Sequence, residues 1–156
     1  MSNTETVMSF ITALQSGDIE LAANRMTSDF TMSGFFAKPL DESEFLVMQS
    51  KLLAAMPDFS YNTSELQEEE QGMVKALLQI TGTQSNDLDL SLLGIRPIQA
   101  TGLAVTLPQT PVTYQMKEGK IASMKWEQFA GGGMSGLLQQ IGAELPLAPR
   151  GVTIAD

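Results

Sequence analysis

The sequence predicts an α+β fold in a single domain, with helices leading and an antiparallel sheet following. Three observations carry that prediction. Apolar residues recur at helical spacing in stretches of the first 56 residues, as amphipathic helices require. From residue 59 the period changes to 2, the period of half-buried strands. Turn-forming tracts, "EEEQG" at 68–72 and "KEG" at 117–119, then join alternating runs in pairs.

In order along the chain, Val7, Phe10, Ile11 and Leu14 fall at i, i+3, i+4 and i+7, one face of a first helix that Gly17 ends. Asp18 caps a short second helix running through Leu21, Ala22 and Met26. The aromatic-rich "DFTMSGFF" at 29–36 is the first strand. "DESE" at 41–44 sets an acid three residues after a capping Asp. It opens a third helix with Phe45, Met48, Leu52 and Met56 on one side and Pro57 as its stop. Strands are expected over 59–67, 73–83, 103–117 and 120–129. Pro108 and Pro111 make the third of these bulged or an edge strand. "GGG" at 131–133 is a bend and 135–141 a short last helix. The domain is expected to occupy 1–142, and 143–156 to form a Pro-containing tail. No internal repeat interrupts this order.

The 156 residues, 43% of them hydrophobic, are enough for a domain that buries roughly 70% of its unfolded surface. Nine Lys and Arg against 18 Asp and Glu give a net charge of −9, which repels phosphate backbones and anionic lipid. Neither nucleic acid nor a membrane is an expected partner. The absence of Cys removes disulfides, thiol nucleophiles and thiolate metal sites. The absence of His removes Ser-His-Asp and Cys-His catalysis and the usual imidazole ligands, so no metal site is expected. Proton transfer would fall to Asp, Glu, Tyr, Lys or ordered water. "MSNTETVMSF" lacks a basic stretch followed by an apolar run, and no segment reaches the ~20 apolar residues of a membrane span. A cytoplasmic protein is the expectation.

Residues 84–101, "QSNDLDLSLLGIRPIQAT", form a long connection with an unusually apolar set of side chains, Leu88, Leu90, Leu92, Leu93, Ile95 and Ile98. Connections of this length are often functional. Two readings stand: packing on the sheet or on a partner subunit, or a mobile lid over a pocket.

Six segments in order are family-like. They are "ALQSGDIE" (13–20), "SDFTMSG" (28–34), "FLVMQSKLLAAMPDFSY" (45–61), "VKALLQITGTQ" (74–84), "EGKIASMKWE" (118–127) and "GLLQQIG" (136–142). On these the chain resembles the SnoaL-like polyketide cyclases, within the nuclear-transport-factor-2-like superfamily that also holds ketosteroid isomerase. The resemblance implies a cone-shaped barrel of N-terminal helices on a strongly curved mixed, mostly antiparallel sheet, of the cystatin-like type, enclosing a cavity. It also implies a homodimer through the outer sheet face. For function it implies cofactor-free acid/base chemistry by a pocket carboxylate, such as ring closure, isomerisation or dehydration of a hydrophobic polyketide-like molecule. An apolar cavity would support this by raising the carboxyl pKa.

In the family an acid commonly follows an aromatic residue on the late strand, and Trp126–Glu127 matches that pair, with Glu in place of Asp. Asp29 stands where members carry a pocket-facing acid at the first strand's entry. Glu127 and Asp29 are therefore the candidate catalytic residues. Gln84 stands in "GTQ" where many members have "GTH". With Trp126, Tyr61, Tyr114, Gln79 and Gln128 it makes the candidate ligand pocket.

Strict alternation, however, puts Ile121, Ser123, Lys125, Glu127 and Phe129 on one face and the more apolar Ala122, Met124, Trp126 and Gln128 on the other. If the second set faces the cavity, Glu127 points away, unless a bulge near Lys125 reverses it. Three classes of function remain open. An enzyme needs a pocket acid, a binding protein for a small hydrophobic molecule needs an apolar cavity, and an interaction module needs neither.

Overall fold

The first three helices start at capping side chains. The computed structural model of the protein describes residues 2–128 and 130–142. In it, Ser2 and Glu5 form a capping box at the start of α1 (Asn3–Ser16), which Gly17 closes in a left-handed conformation. Asp18 caps α2 (Ile19–Asn24). Asp41 and Glu44 form the second capping box, on α3 (Glu42–Ala55). Phe45, Met48 and Leu52 on α3 are buried as their spacing requires. Helix α2 stops two residues short of Met26, because Met26 already begins β1 (Met26–Ser33).

Strand β1 is followed by the two-residue β2 (Leu40–Asp41) and, after α3, by β3 (Ser64–Glu68) and β4 (Met73–Leu78). Then come β5 (Thr81–Thr83), β6 (Ala104–Thr106), β7 (Thr110–Lys117) and β8 (Lys120–Trp126). Helix α4 (Gly133–Gln140) comes last. Six strands form one sheet in the order β2-β1-β8-β7-β4-β3, and β5 pairs with β6 separately. Only β1 and β8 run parallel; the other pairs are antiparallel. The fold is thus α+β with a mixed, mostly antiparallel sheet.

Two expected long strands are each cut in two. The run 73–83 breaks at Gln79 and Ile80, and 103–117 breaks at Pro108, which lies between β6 and β7. Both cuts serve one purpose: β5 and β6 leave the main sheet together and pair with each other. Pro111 nonetheless sits inside β7, a central strand, opposite Leu77. As the strand's second residue it can forgo an N–H, while its carbonyl accepts from Glu127 N at 3.1 Å. The strand expected over 59–67 begins only at Ser64, because Asn62 takes a positive φ of 43°. The first strand ends at Ser33 rather than at 36, because Gly34 turns the chain with φ of 91°. Strand β8 ends at Trp126, and the tail expected over 143–156 lies outside the described residues.

One sheet face is the core. Val74, Ala76 and Leu78 of β4, Val112, Tyr114 and Met116 of β7, Ile121, Met124 and Trp126 of β8, and Phe30 and Met32 of β1 are buried. Phe10, Phe30 and Phe45 meet with centroids 5.4–6.4 Å apart, joining α1, β1 and α3. In β8 the pairing steps from Gln115–Ser123 to Met116–Ile121, so Ala122 is an extra residue. That bulge brings Ile121 onto the buried face alongside Met124 and Trp126. It lies before Met124, so Glu127 is left opposite to Trp126.

The connection 84–101 packs on the body of the protein. Leu88, Leu90 and Ile95 are buried, and Leu88 and Ile98 exchange a pair of backbone hydrogen bonds. Asn86 ties it to α3 through the carbonyls of Ala54 and Ala55. Among the described residues no helix is long and apolar enough to cross a membrane.

Candidate functional site

Four elements bring polar side chains to one place inside the core. Helix α3 supplies Gln49 from within its apolar stripe, one turn beyond Phe45 and fully buried. The segment before β3 supplies Tyr61, β7 supplies Tyr114, and β8 supplies Trp126. Tyr114 pairs with Met124 and Val112 with Trp126, so Tyr114 and Trp126 are diagonal neighbours on the buried sheet face. The Tyr61 ring lies 6.2 Å from that of Trp126 and packs edge-on against Phe59 at 4.9 Å. Its O–H donates to Gln49 Oε1.

The cluster has an excess of donors. Gln49 Nε2, Tyr114 O–H and Trp126 Nε1 are buried with no hydrogen-bond partner. Buried polar atoms of this kind are normally paired, and each left unmade costs ~1–3 kcal/mol. Burial pushes the hydroxyl pKa of Tyr61 up, and that of Tyr114 up by burial and by Tyr61 beside it. Both therefore remain protonated donors at neutral pH.

Trp126 also borders the surface. Beside it the segment 34–39 and the end of β8 diverge, leaving a groove of about 200 Å³ lined by Gly34, Phe35, Phe36, Trp126, Glu127 and Gln128, with the start of α4 at one end. Phe35 lies on Trp126 with ring centroids 4.9 Å apart. The groove's walls touch through backbone, and two glycines allow it. A Cβ on Gly34 would stand 2.1 Å from Trp126 O, and one on Gly133 2.8 Å from Phe35 O. Phe35 O is the acceptor that fixes α4, from Met134 N at 2.8 Å. By itself the groove is smaller than the ~300–1,000 Å³ of sites that enclose drug-sized ligands. It adjoins a more open depression of about 440 Å³ that shares Gly34, Phe36, Trp126, Glu127 and Gln128 with it.

The predicted site residues separate into three groups. Trp126, Tyr61 and Tyr114 come together in the buried cluster. Glu127 and Gln128 are exposed and line the groove. Asp29, Gln84 and Gln79 lie elsewhere. Asp29 is exposed within a bulged stretch of β1, facing opposite to buried Phe30. Its carboxylate accepts from Thr27 Oγ1 at 2.7 Å, and that bond, with Lys117 nearby, holds its pKa below the ordinary value.

Gln84 is buried, but its amide is fully used on the connection 84–101. It donates to Ile98 O and Gln99 O and accepts from Thr101 N and Thr101 Oγ1. Gln79 donates its side-chain N–H to Leu107 O and its backbone N–H to Tyr61 O, so it supports Tyr61 from behind. Residues 84–101 contribute nothing to the groove.

The sequence reading missed Gln49, Phe35 and Phe36. For Gln49 a signal existed: it is a polar residue at a position of α3 that the 3.6 period assigns to the buried face. Among the described residues no Asp or Glu is buried, and none gather as a metal-binding group.

Neither a protein-family model nor a curated protein matches the sequence. Solved structures do match. A candidate SnoaL-like polyketide cyclase from Jannaschia sp. CCS1 aligns at 17% identity over 80% of this chain and 83% of its own, with a TM-score of 0.64. AclR, a candidate hydroxylase from Streptomyces galilaeus, aligns at 16% over 90% and 95%, with a TM-score of 0.68. An NTF2-like protein of unknown function from Cytophaga hutchinsonii aligns at 19% over 81% and 89%, with a TM-score of 0.58. The chain therefore has the fold of the SnoaL-like and nuclear-transport-factor-2-like proteins. Three different descriptions on one fold leave the chemistry to be argued from the residues.

Proposed function

We propose that the protein binds a small, largely apolar molecule that carries a hydrogen-bond acceptor, entering beside Trp126. The observation that carries this reading is the pairing of buried, unpartnered donors with the lack of any buried carboxylate among the described residues. Acid/base catalysis by a desolvated acid needs the opposite arrangement. An acceptor oxygen placed among Gln49 Nε2, Tyr114 O–H and Trp126 Nε1 would satisfy groups that otherwise cost free energy.

The protein's single Trp makes the test direct, because its indole N–H gives one resonance in a ¹⁵N-labelled sample. Titration with 1-indanone is expected to move that resonance downfield saturably. Indane, the hydrocarbon of like shape, is expected to bind more weakly and leave it in place. No shift up to the solubility limit of 1-indanone would sink the proposal.

A second reading rests on Glu127, whose carboxylate shares the groove with Trp126. If Trp126 and its neighbours polarise a carbonyl, Glu127 could remove the proton α to it. The same ketone decides this. Catalysed exchange of the C2 protons of 1-indanone in D₂O, abolished in Glu127→Gln, would favour the enzyme. Binding without exchange, equal in the variant, favours the binding protein.

A further inference from the structure

The side-chain amide of Gln49 has two unlike edges, an accepting oxygen and a donating NH₂. Which edge faces the interior decides what a ligand must offer. Tyr61 O–H engages Oε1, so Nε2 is left turned into the core with no acceptor. Tyr61 is itself held firmly. Its backbone N–H donates to Gln15 Oε1 at 2.6 Å, its carbonyl accepts from Gln79 N at 2.7 Å, and its ring is fixed against Phe59. Turning the amide over would bring NH₂ against the hydroxyl, whose own proton would then have to turn toward surroundings that include the Phe59 and Trp126 rings.

We propose that Tyr61 is a positioning residue that locks the Gln49 amide with its donor edge inward, and that the site therefore selects neutral ketones over molecules whose buried end is a donor. This rests on the binding reading above and names its ligand class. Trp126 adds a pure donor to the same cluster. Its acceptors are poorly placed or weak: the oxygen of Gln49 is turned to Tyr61 O–H, which leaves it one free lone pair, and the others are phenolic oxygens. A ligand N–H buried there would be met poorly, while a ketone oxygen would meet donors that lack a partner.

Two bicyclic probes of like size separate the possibilities: 1-indanone, which only accepts, and indole, which only donates. In the native protein 1-indanone is expected to bind roughly ten- to a hundredfold more tightly than indole, the cost of one buried unmet donor. In Tyr61→Phe the amide is free to turn its oxygen inward, and the ratio is expected to collapse to within about threefold, chiefly through gain of indole binding. A merely structural role for Tyr61 would weaken both probes alike and preserve the ratio. That result would overturn the proposal.

Gln49→Met keeps the side chain's length and removes both edges. It is expected to lower affinity for 1-indanone and leave indole almost unchanged, which keeps the test decisive if Tyr61→Phe folds poorly. Equal binding of both probes to the native protein would refute the selectivity and leave the binding reading standing. Binding of neither would remove both.

Discussion

Gln84→Met preserves the length and bulk of a buried side chain while deleting the four hydrogen bonds to Ile98 O, Gln99 O, Thr101 N and Thr101 Oγ1. Each such bond is worth about 1 kcal/mol net, and the asymmetry lies in what is left behind. Gln99 and Thr101 are exposed and recover water; the half-buried Ile98 recovers it less completely. A loss of about 2 kcal/mol is therefore expected, or roughly 4–8 °C in Tm for a domain of this size.

The effect should also be local. The Leu88 and Ile98 amides, which bond to each other's carbonyls, should lose hydrogen-exchange protection before the central strands do. Thermal unfolding followed by Trp126 fluorescence reads the first quantity, and amide exchange the second. The variant should keep the native response of the Trp126 indole N–H to 1-indanone. An unchanged Tm together with loss of that response would show that Gln84 touches ligand, and would refute the assignment of its amide to the connection 84–101.

Gly34→Ala is expected to cost roughly 3 kcal/mol or more, since φ is 91° and the new Cβ would stand 2.1 Å from a backbone oxygen that cannot yield. Denaturant unfolding measures it, and a wild-type midpoint would show that the 34–39 segment yields freely. The only two Tyr are both buried with raised pKa values, so the native protein should show no phenolate absorbance near pH 10. The folded state holds these protons more tightly than the unfolded one. Their stabilisation is thus complete below pH ~10 and falls above it, by about 1.4 kcal/mol per pH unit for each Tyr. Absorbance at 295 nm rising before unfolding would contradict the burial. If the outer sheet face is a homodimer interface, Leu77→Lys, on that face opposite Pro111, should yield monomers by sedimentation; a monomeric wild type removes the idea.

What the sequence disclosed and what it hid follow from range. Asp41–Glu44 and Asp18 announced their helix starts because a cap is a contact within four residues. The α+β order was legible from periodicity for the same reason. The break of 73–83 was not, because Leu78 continues the alternation perfectly well. The chain turns there so that β5 can meet β6, more than twenty residues away. The roles of Gln84 and Gln79 were hidden likewise. An amide reads the same whether it faces a cavity or secures a loop, and its partners at 98–101 and 107 are distant in sequence. Gln49 could have been found by asking why an apolar stripe contains an amide.

The direction of Glu127 is the most instructive case, because one extra residue decides it. Without a bulge, Trp126 and Glu127 face opposite ways, and the more apolar face wins the core. A bulge at Lys125 would have flipped both, turning Trp126 outward and Glu127 onto the core face as a desolvated acid. The extra residue is instead Ala122, earlier in the strand, where the β7–β8 turn through Glu118 and Gly119 sets the register from the other end. Its effect is to recruit Ile121 into the core. A cyclase-like sequence pair, "WE", is thereby kept while the acid is delivered to water. What remains inside, among the described residues, is a set of donors without partners and no buried carboxylate, the arrangement on which the binding proposal rests.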